Sequence, residues 1–399
     1  MKRKKTVITS RGAAAHAPRP RAPQPPRTPV VPSSILRLPG EKLRSAELAD
    51  ERAAARNARN APAAAPAPAT PLPPLAAVDL SVDLAPRRDG ALVLRTPVMA
   101  AAGTFGYGVE YAELVDVERI GAICSKGTTL KGRTGNAPPR VTETASGMLN
   151  SIGLQNPGVE AVLERYAQTW AAWEVPVIVN VAGESVDDYV AVVRRLDGEP
   201  GIAGIELNIS CPNVGKGGIQ FALDADAAAQ VTRAVRAATQ LPLLVKLSPA
   251  AQDVRRIAQA VADAGADAIG ATNTLPGMSI DRERRRPFLG NTYGGLSGPA
   301  LKPVALRVVY EVAQVVEIPV VGIGGVASLD DVLDYLMAGA SAVQVGSAVF
   351  ADPLLPVRLA DELEAWCREQ GMTSHRELVG AALPGRRDRP SMKGAEYRP

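Results

Sequence analysis

Several residue types are scarce in this 399-residue sequence, and each scarcity excludes a class of protein. The three cysteines, Cys124, Cys211 and Cys367, form no C-x-x-C pair, which excludes a disulfide framework and a zinc or iron–sulfur ligand set. Only two histidines occur, His16 and His375. Aromatic residues make up 4% of the chain, and no apolar run is long enough to cross a bilayer. We therefore expect a reduced, soluble, cytoplasmic protein without a bound metal.

Residues 1–75 differ in composition from the rest of the chain. They carry 14 Lys and Arg against 4 Asp and Glu, a net charge of +10, so the remainder must net −6 to give the overall +4. Runs such as APAAAPAPATPLPP neither pack nor hold a helix, which predicts a disordered Pro/Ala/Arg-rich extension over 1–75. No apolar segment of a signal peptide follows its basic start, and its prolines argue against a transit peptide. We expect an idle extension without nucleic-acid or membrane partners, and weak electrostatic contact with either is the alternative.

Apolar periodicity begins at residue 78. Two alternating runs, 78–85 and 91–98, are separated by PRRDG and predict a β-hairpin. Eight strand-like apolar runs follow: 98–102, 122–126, 177–181, 204–209, 243–247, 268–272, 320–323 and 342–346. Helical spacing covers, among others, 186–196, 225–239, 254–264 and 301–316. Eight such units in about 280 residues predict an α/β fold, a TIM (β/α)8 barrel over 76–374 with the hairpin closing its N-terminal end. Residues 375–399 are expected to form a loose tail.

Polar residues are concentrated at the predicted strand ends, where the active site of a TIM barrel lies. They include Lys126, Lys246, Asn150, Asn180, Asn208, Asn213, Asn273, Cys211, Ser125, Thr128, Thr272, Thr274 and Ser347. Turn formation explains one or two asparagines. Five at one face indicate a planar ligand that carries both donors and acceptors, because each amide offers both.

Cys211 lies in the segment GIELNISCPNVGKGG, residues 204–218. An isolated cysteine at a strand end is more often a packed thiol. Here two asparagines flank it, and the glycine-rich loop 214–218 predicts a mobile lid. Because neither histidine lies at a strand end, the thiolate is the obvious proton acceptor, and we predict a general base. The alternative role, a covalent nucleophile, lacks a histidine to activate it.

Glycines follow the seventh and eighth predicted strands, at Gly324-Gly325 and at Gly346. Backbone N–H groups in such loops bind phosphate in many barrels, which predicts a phosphorylated ligand of about the size of FMN. Lys246 on the fifth strand has two interpretations, a structural salt bridge or a positive charge beside a flavin ring. Lys126 has the same two interpretations, as a structural ion pair or as a positive charge beside a ligand.

Four motifs together resemble class 1 dihydroorotate dehydrogenase. They are NISCPN at 208–213, KGTT at 126–129 with GNAPPR at 135–140, NSIGLQN at 150–156, and GGLSGPA at 294–300. Cysteine as the base is similar to class 1, since the membrane-linked class 2 enzymes use serine. The segments PVMAAAGTFGYG at 97–108 and GLQNPG at 153–158 look most like subclass 1B, the catalytic subunit that uses NAD⁺.

The resemblance implies FMN-dependent oxidation of (S)-dihydroorotate to orotate in pyrimidine biosynthesis. Cys211 would take the C5 proton, and the C6 hydride would pass to FMN N5. The implied FMN contacts are Ala102, Lys126, Gly127, Asn180, Asn208, Lys246, Thr272, Gly298, Gly324, Gly325, Gly346 and Ser347. The implied substrate contacts are Lys126, Asn150, Ser151, Ile152, Gly153, Leu154, Asn208, Asn213, Asn273 and Thr274. Three positions differ from the commoner pattern of this family. Ala102 stands where serine is frequent, Thr272 where isoleucine is usual, and Ser347 where threonine is usual. Only the side-chain hydrogen bond to FMN that a serine at position 102 would make is put in doubt.

The resemblance also implies partners. Since the sequence has no GxGxxG fingerprint, NAD⁺ would be reached through a second subunit that carries FAD and a [2Fe–2S] cluster. The expected assembly is a homodimer, or a heterotetramer with that subunit, and Cys124 and Cys367 are expected to be structural. One alternative is a fumarate-dependent class 1A enzyme or a related dihydropyrimidine dehydrogenase. Another is a non-catalytic protein that binds FMN, or nucleic acid through its basic extension.

Overall fold

The structure is a computed structural model that describes residues 77–88, 91–209 and 218–385, with the backbone alone at 218–220. The predicted extension at 1–75 lies outside these residues. So do residues 386–399 and all but the last residue of the predicted lid at 214–218.

Eight parallel strands close into a barrel, which confirms the predicted TIM-barrel fold. In chain order they are β1 (Val98–Ala100), β2 (Ile123–Cys124), β3 (Val177–Val181), β4 (Gly204–Asn208), β5 (Leu243–Lys246), β6 (Ala268–Ala271), β7 (Val320–Ile323) and β8 (Ala342–Val345). Each strand pairs with the next, and β8 pairs with β1 through Gln344 and Met99. Their residues are buried on both faces, as in a parallel sheet that helices cover.

Helices surround the barrel. They are α1 (Val159–Ala171), α2 (Val186–Leu196), the short α3 (Gly218–Leu223), α4 (Ala225–Arg236), α5 (Val254–Asp263), α6 (Lys302–Val312), α7 (Leu329–Met337) and α8 (Leu355–Glu369). Capping boxes at Ser185 and Ser328 fix the starts of α2 and α7. Helix α4 ends three residues before the predicted boundary at 239, because Thr239 bonds to the Asp197 carboxylate and to the Leu241 N–H in a turn.

The predicted hairpin is also present and closes the N-terminal end of the barrel. Val82–Asp83 pairs antiparallel with Val93–Leu94. Leu84 and Leu94, both 0% exposed, pack in one cluster with residues that line the barrel interior, among them Met99. This end is therefore filled by side chains, and the opposite end is left for a ligand.

A four-stranded antiparallel sheet that sequence reasoning did not predict is built from the segments after β2 and β6. Its strands, in spatial order, are Leu275–Met278, Tyr293–Ser297, Gly147–Asn150 and Val141–Thr144. A two-stranded ribbon, Ile280–Asp281 with Arg286–Pro287, extends from it. The strand Leu275–Met278 comes directly after the C-terminal end of β6, so the sheet lies at the C-terminal end of the barrel.

The predicted loose tail does not begin at His375. A 3₁₀ helix, His375–Glu377, carries its own capping box at Ser374, and the His375 side chain is 0% exposed. Its Nδ1 lies 3.3 Å from the backbone oxygen of Asp79, so this segment packs beside the start of the fold. In the part of the chain that the structure describes, no helix is long and apolar enough to cross a membrane.

Candidate active site

Three of the predicted asparagines form one hydrogen-bonded series at the C-terminal ends of their strands. Asn208 Nδ2 donates to Asn180 Oδ1 at 3.3 Å, and Asn273 Nδ2 donates to Asn208 Oδ1 at 3.1 Å. The backbone N–H of Thr274 donates to Asn273 Oδ1 at 2.8 Å, and Tyr189 Oη holds the backbone oxygen of Asn208 at 2.8 Å. The structure therefore brings these amides together along β3, β4 and the end of β6.

Glu206 lies below this series at the centre of the barrel, and sequence reasoning missed it. It is 0% exposed, and residues from four other strands bond to its carboxylate. Asn180 Nδ2 and Lys246 Nζ donate to Oε1 at 2.6 Å and 3.3 Å. Gln344 Nε2 and Cys124 Sγ donate to Oε2 at 2.7 Å and 3.8 Å.

Glu206 is the ion-pair partner of Lys246. The lysine side chain is 6% exposed, and its buried charge has the carboxylate as partner. Burial raises the pKa of the Cys124 thiol well above its usual value, and the nearby Glu206 carboxylate adds to this effect. The signal for Glu206 was present in the sequence: a lone carboxylate in the buried strand GIELN requires a buried partner.

The long segment after β2 reaches the same mouth. Leu154 and Asn180 both lie against Gly127, where an added Cβ would come within 3.1 Å of each. Asn136 Nδ2 donates to the Ser151 hydroxyl at 3.0 Å, and its backbone N–H donates to the oxygen of Ile152 at 3.0 Å. An added Cβ at Gly153 would lie 2.5 Å from Asn136 Oδ1. Contacts within the segment therefore fix its course, and Gly127 and Leu154 bring it next to Asn180 of β3.

Asn150 belongs to the antiparallel sheet. It pairs with Gly295 in register, and its Nδ2 donates to the Gly295 oxygen at 3.4 Å. Thr274 lies against the same glycine, where an added Cβ would be 2.1 Å from Thr274 Oγ1. The sheet thus joins two of the predicted substrate contacts.

Lys126 follows β2, and its backbone N–H donates to the Gly106 oxygen at 2.8 Å. Burial lowers the pKa of its ammonium; Arg140 acts in the same direction and Glu110 opposes it. A bound anion beside Lys126 would favour the charged form.

The predicted phosphate-binding residues form a cradle of glycines at the ends of β7 and β8. Gly298, Gly324 and Gly325 adopt φ values of 90°, 133° and 72°. A Cβ at Gly325 would lie 3.0 Å from the Gly298 oxygen and 2.9 Å from the Lys302 N. Beside Gly346, by contrast, an added Cβ would meet only Ala101 Cβ among the described residues, at 3.8 Å.

This cradle fits a phosphate group. Gly346 precedes the 3₁₀ helix Ser347–Phe350, and Gly298 precedes the 3₁₀ helix Pro299–Leu301, which runs into α6. Helix N-termini and open backbone N–H groups favour an anion. Together with Lys246 and the amide series at the same end of the barrel, the residues present fit FMN.

Four predicted site residues remain, and the structure describes two of them. Thr272 is 1% exposed, and its hydroxyl donates to the Asn273 oxygen at 2.9 Å. Ala102 packs, half-buried, against the core cluster inside the barrel. Cys211 and Asn213 lie outside the described residues, so their roles stay predictions.

Known proteins with a similar sequence belong to one family. The family model for dihydroorotate dehydrogenase covers residues 91–366. The chain belongs to the dihydroorotate dehydrogenase family. The resemblance to subclass 1B is confirmed by relatives named dihydroorotate dehydrogenase B (NAD(+)), catalytic subunit. The protein of this name from Desulforudis audaxviator is 52% identical over 73% of this chain and 95% of its own length. That from Trichlorobacter lovleyi is 51% identical over 73% and 96%.

A solved structure supports the fold alone. The crystal structure of DHODH from Eimeria tenella in complex with ferulenol gives a TM-score of 0.63 at 22% identity, over 85% of this chain and 96% of the other. The two chains therefore share the barrel fold. No cluster of metal-ligating side chains occurs among the residues described.

Proposed function

We propose that this chain is the catalytic subunit of an FMN-dependent dihydroorotate dehydrogenase, which oxidises (S)-dihydroorotate to orotate in the cytoplasm for pyrimidine biosynthesis. The relatives of about half identical sequence support the reaction. The observation that carries the proposal is the amide series Asn180–Asn208–Asn273 beside Lys246. A planar ring with imide and carboxylate groups requires both hydrogen-bond donors and acceptors, and each amide of this series carries both.

The chain's own residues divide the work between two ligands. The glycine cradle at Gly298, Gly324, Gly325 and Gly346 would hold the phosphate of FMN, and Lys246 with Asn180 would face its ring. FMN, when bound, supplies the acceptor for the hydride that leaves C6 of the substrate. Lys126, Asn150 to Leu154, Asn208, Asn213, Asn273 and Thr274 would bind the substrate and its carboxylate. Their contacts would keep the C6 hydrogen aligned and exclude water.

Cys211 would take the proton from C5. Asn208, three residues earlier, ends β4 within the amide series, so the segment that carries Cys211 starts from the mouth. The substitution Cys211→Ser tests this role, since a serine hydroxyl of similar size is far less ionised than a thiol at neutral pH. We expect flavin to stay bound and its anaerobic reduction by dihydroorotate to slow by about 100-fold or more at pH 7. Unchanged single-turnover reduction would remove the assignment.

Electrons would leave through a partner. We propose a homodimer of this chain that associates with an FAD and [2Fe–2S] subunit, through which NAD⁺ is reduced; the words "catalytic subunit" in the relatives' name support a second subunit. Steady-state assays with NAD⁺ and with fumarate, each with and without the partner, test this proposal. Reduction of NAD⁺ only with the partner is expected, and fumarate reduction by the chain alone would show a class 1A enzyme instead.

A further inference from the structure

The hydrogen bonds among the amides run in a single direction that begins at Glu206. An ionised carboxylate accepts and cannot donate. Glu206 Oε1 accepts from Asn180 Nδ2, which turns Asn180 Oδ1 towards Asn208 Nδ2. Asn208 Oδ1 is then left to accept from Asn273 Nδ2.

The far end of the series is equally fixed. Asn273 Oδ1 accepts from the backbone N–H of Thr274, a group that can only donate. Turning over any one amide between Glu206 and Thr274 would place two donors or two acceptors together. The series therefore has one arrangement that satisfies both ends, the Glu206 carboxylate and the Thr274 N–H.

Gln344 gives independent evidence that the carboxylate dictates these orientations. Its Nε2 donates to Glu206 Oε2 at 2.7 Å. Its Oε1 is buried and has no hydrogen-bond partner within the described part of the chain. An amide in this position leaves its oxygen unpaired because the opposite orientation would place that oxygen against the carboxylate.

We propose that Glu206 is a positioning residue that, together with the Thr274 N–H at the far end, sets the donor and acceptor pattern of the mouth through Asn180, Asn208 and Asn273. It also holds Lys246 Nζ at 3.3 Å, which fixes the one buried ammonium among the described residues of this network. The pattern would suit the planar ring of orotate, so the inference rests on the proposed function for the identity of the ligand. The carboxylate itself needs no contact with substrate.

The substitution Glu206→Gln tests the inference, since glutamine keeps the shape but adds a donor. An amide at 206 can turn its nitrogen towards Asn180, so the direction of the series is then held only at the Thr274 end. We expect the Kd of orotate for the oxidised flavoprotein, measured from the change in flavin absorbance, to rise by about tenfold, as expected for one impaired buried hydrogen bond.

The double variant Glu206→Gln/Asn180→Asp is the matched rescue. The aspartate at position 180 is again a group that only accepts hydrogen bonds, now in the place of the first amide of the series. The amide nitrogen of the glutamine at position 206 can donate to it. Asn208 and Asn273 then regain their direction, so the double variant should bind orotate more tightly than either Glu206→Gln or Asn180→Asp alone. A purely structural role for Glu206 predicts no such recovery. The control Glu199→Gln removes a surface carboxylate that pairs with Arg195 at 3.8 Å and should leave the Kd unchanged.

The outcomes separate cleanly. A Kd that is unchanged in Glu206→Gln, or that is no lower in the double variant than in both single variants, contradicts the positioning role. If Glu206→Gln does not fold, recovery of folded, orotate-binding protein in the double variant supports the role, and failure to recover contradicts it. A wild-type chain without flavin bands or orotate response would contradict the proposed function. The thermal midpoints of the flavin-free variants would then still decide the role of Glu206, with a fall in the single variant and recovery in the double one.

Discussion

At the scale of single residues, the pair formed by Lys246 and Glu206 is the most sensitive point of the molecule. Both side chains are almost completely buried, at 6% and 0% exposure. Removing one partner leaves the other charge buried without compensation, which costs about 3–5 kcal/mol. We therefore expect Lys246→Met to lower the free energy of unfolding of the flavin-free protein by about this amount, measured in urea.

A lysine that is more exposed than Lys246 provides the control for this prediction. Lys302 forms ion pairs with Asp331 at 2.5 Å and with Asp334 at 2.7 Å, but its side chain is 22% exposed. Lys302→Met should cost about 1 kcal/mol or less. The double variant Lys246→Met/Glu206→Gln should regain much of the lost stability, because no buried charge is left. Equal losses at both lysines would contradict the assignment of a buried pair.

Residues of this mouth could be predicted from the sequence to different degrees. Asn180, Asn208 and Asn273 were found because amides at successive strand ends have few structural explanations. Glu206 and Gln344 were not, because they lie inside strands read as apolar runs. Which donor faces which acceptor depends on how neighbouring strands of the barrel are aligned. Asn180 meets Glu206, for example, because the register of β3 against β4 places them side by side.

At the scale of structural elements, the loop after β7 has a steric requirement that can be measured. Gly325 has φ of 72°, and an added Cβ would lie 2.9 Å from the backbone N of Lys302. Gly325→Ala should lower the free energy of unfolding by about 1–2 kcal/mol for the backbone conformation alone, and by more for the contact. It should also lower the FMN content of the purified protein.

Gly371 separates the two contributions. Its φ is 73°, but an added Cβ would meet nothing within 4 Å. Gly371→Ala should therefore show the cost of the backbone conformation without the contact, and FMN content should not change. If both variants lose the same stability and both retain FMN, the glycine cradle is wrongly assigned.

The elements of the barrel were predictable, and those of the antiparallel sheet were not. Strands β3 and β7 and helix α2 have the predicted bounds, since each is a clear apolar run or a helical pattern with a serine cap. The strands Tyr293–Ser297 and Leu275–Met278 contain glycine or proline and show no alternation. Tyr293–Ser297 pairs with Gly147–Asn150, a segment far away in the sequence, and no local pattern reports such a pairing.

At the scale of the whole molecule, His375 links stability to pH. Burial lowers the pKa of this imidazole below its usual value of 6.5; Arg376 acts in the same direction, and Asp79 opposes both. The unfolded chain therefore binds a proton near pH 6.5, whereas the folded chain does so only at lower pH. Stability is complete above pH 6.5 and falls as the pH drops below it, by at most about 1.4 kcal/mol per pH unit.

Unfolding free energies measured between pH 7.5 and pH 5.5 check this prediction, because few carboxylates titrate in that range. The variant His375→Gln should show a flatter dependence on pH, whatever its absolute stability. The only other histidine, His16, is present in both proteins and does not affect the comparison. Parallel pH dependences would show that His375 is not the group responsible.

The central claim is that this barrel binds FMN and passes electrons to it from dihydroorotate. An anaerobic titration of the purified full-length chain with (S)-dihydroorotate, followed by visible absorption, tests it most directly. The chain should show flavin bands, and these should bleach as dihydroorotate is added and orotate forms. Flavin bands that dihydroorotate leaves unchanged, or no flavin bands even after FMN is supplied, would contradict the claim.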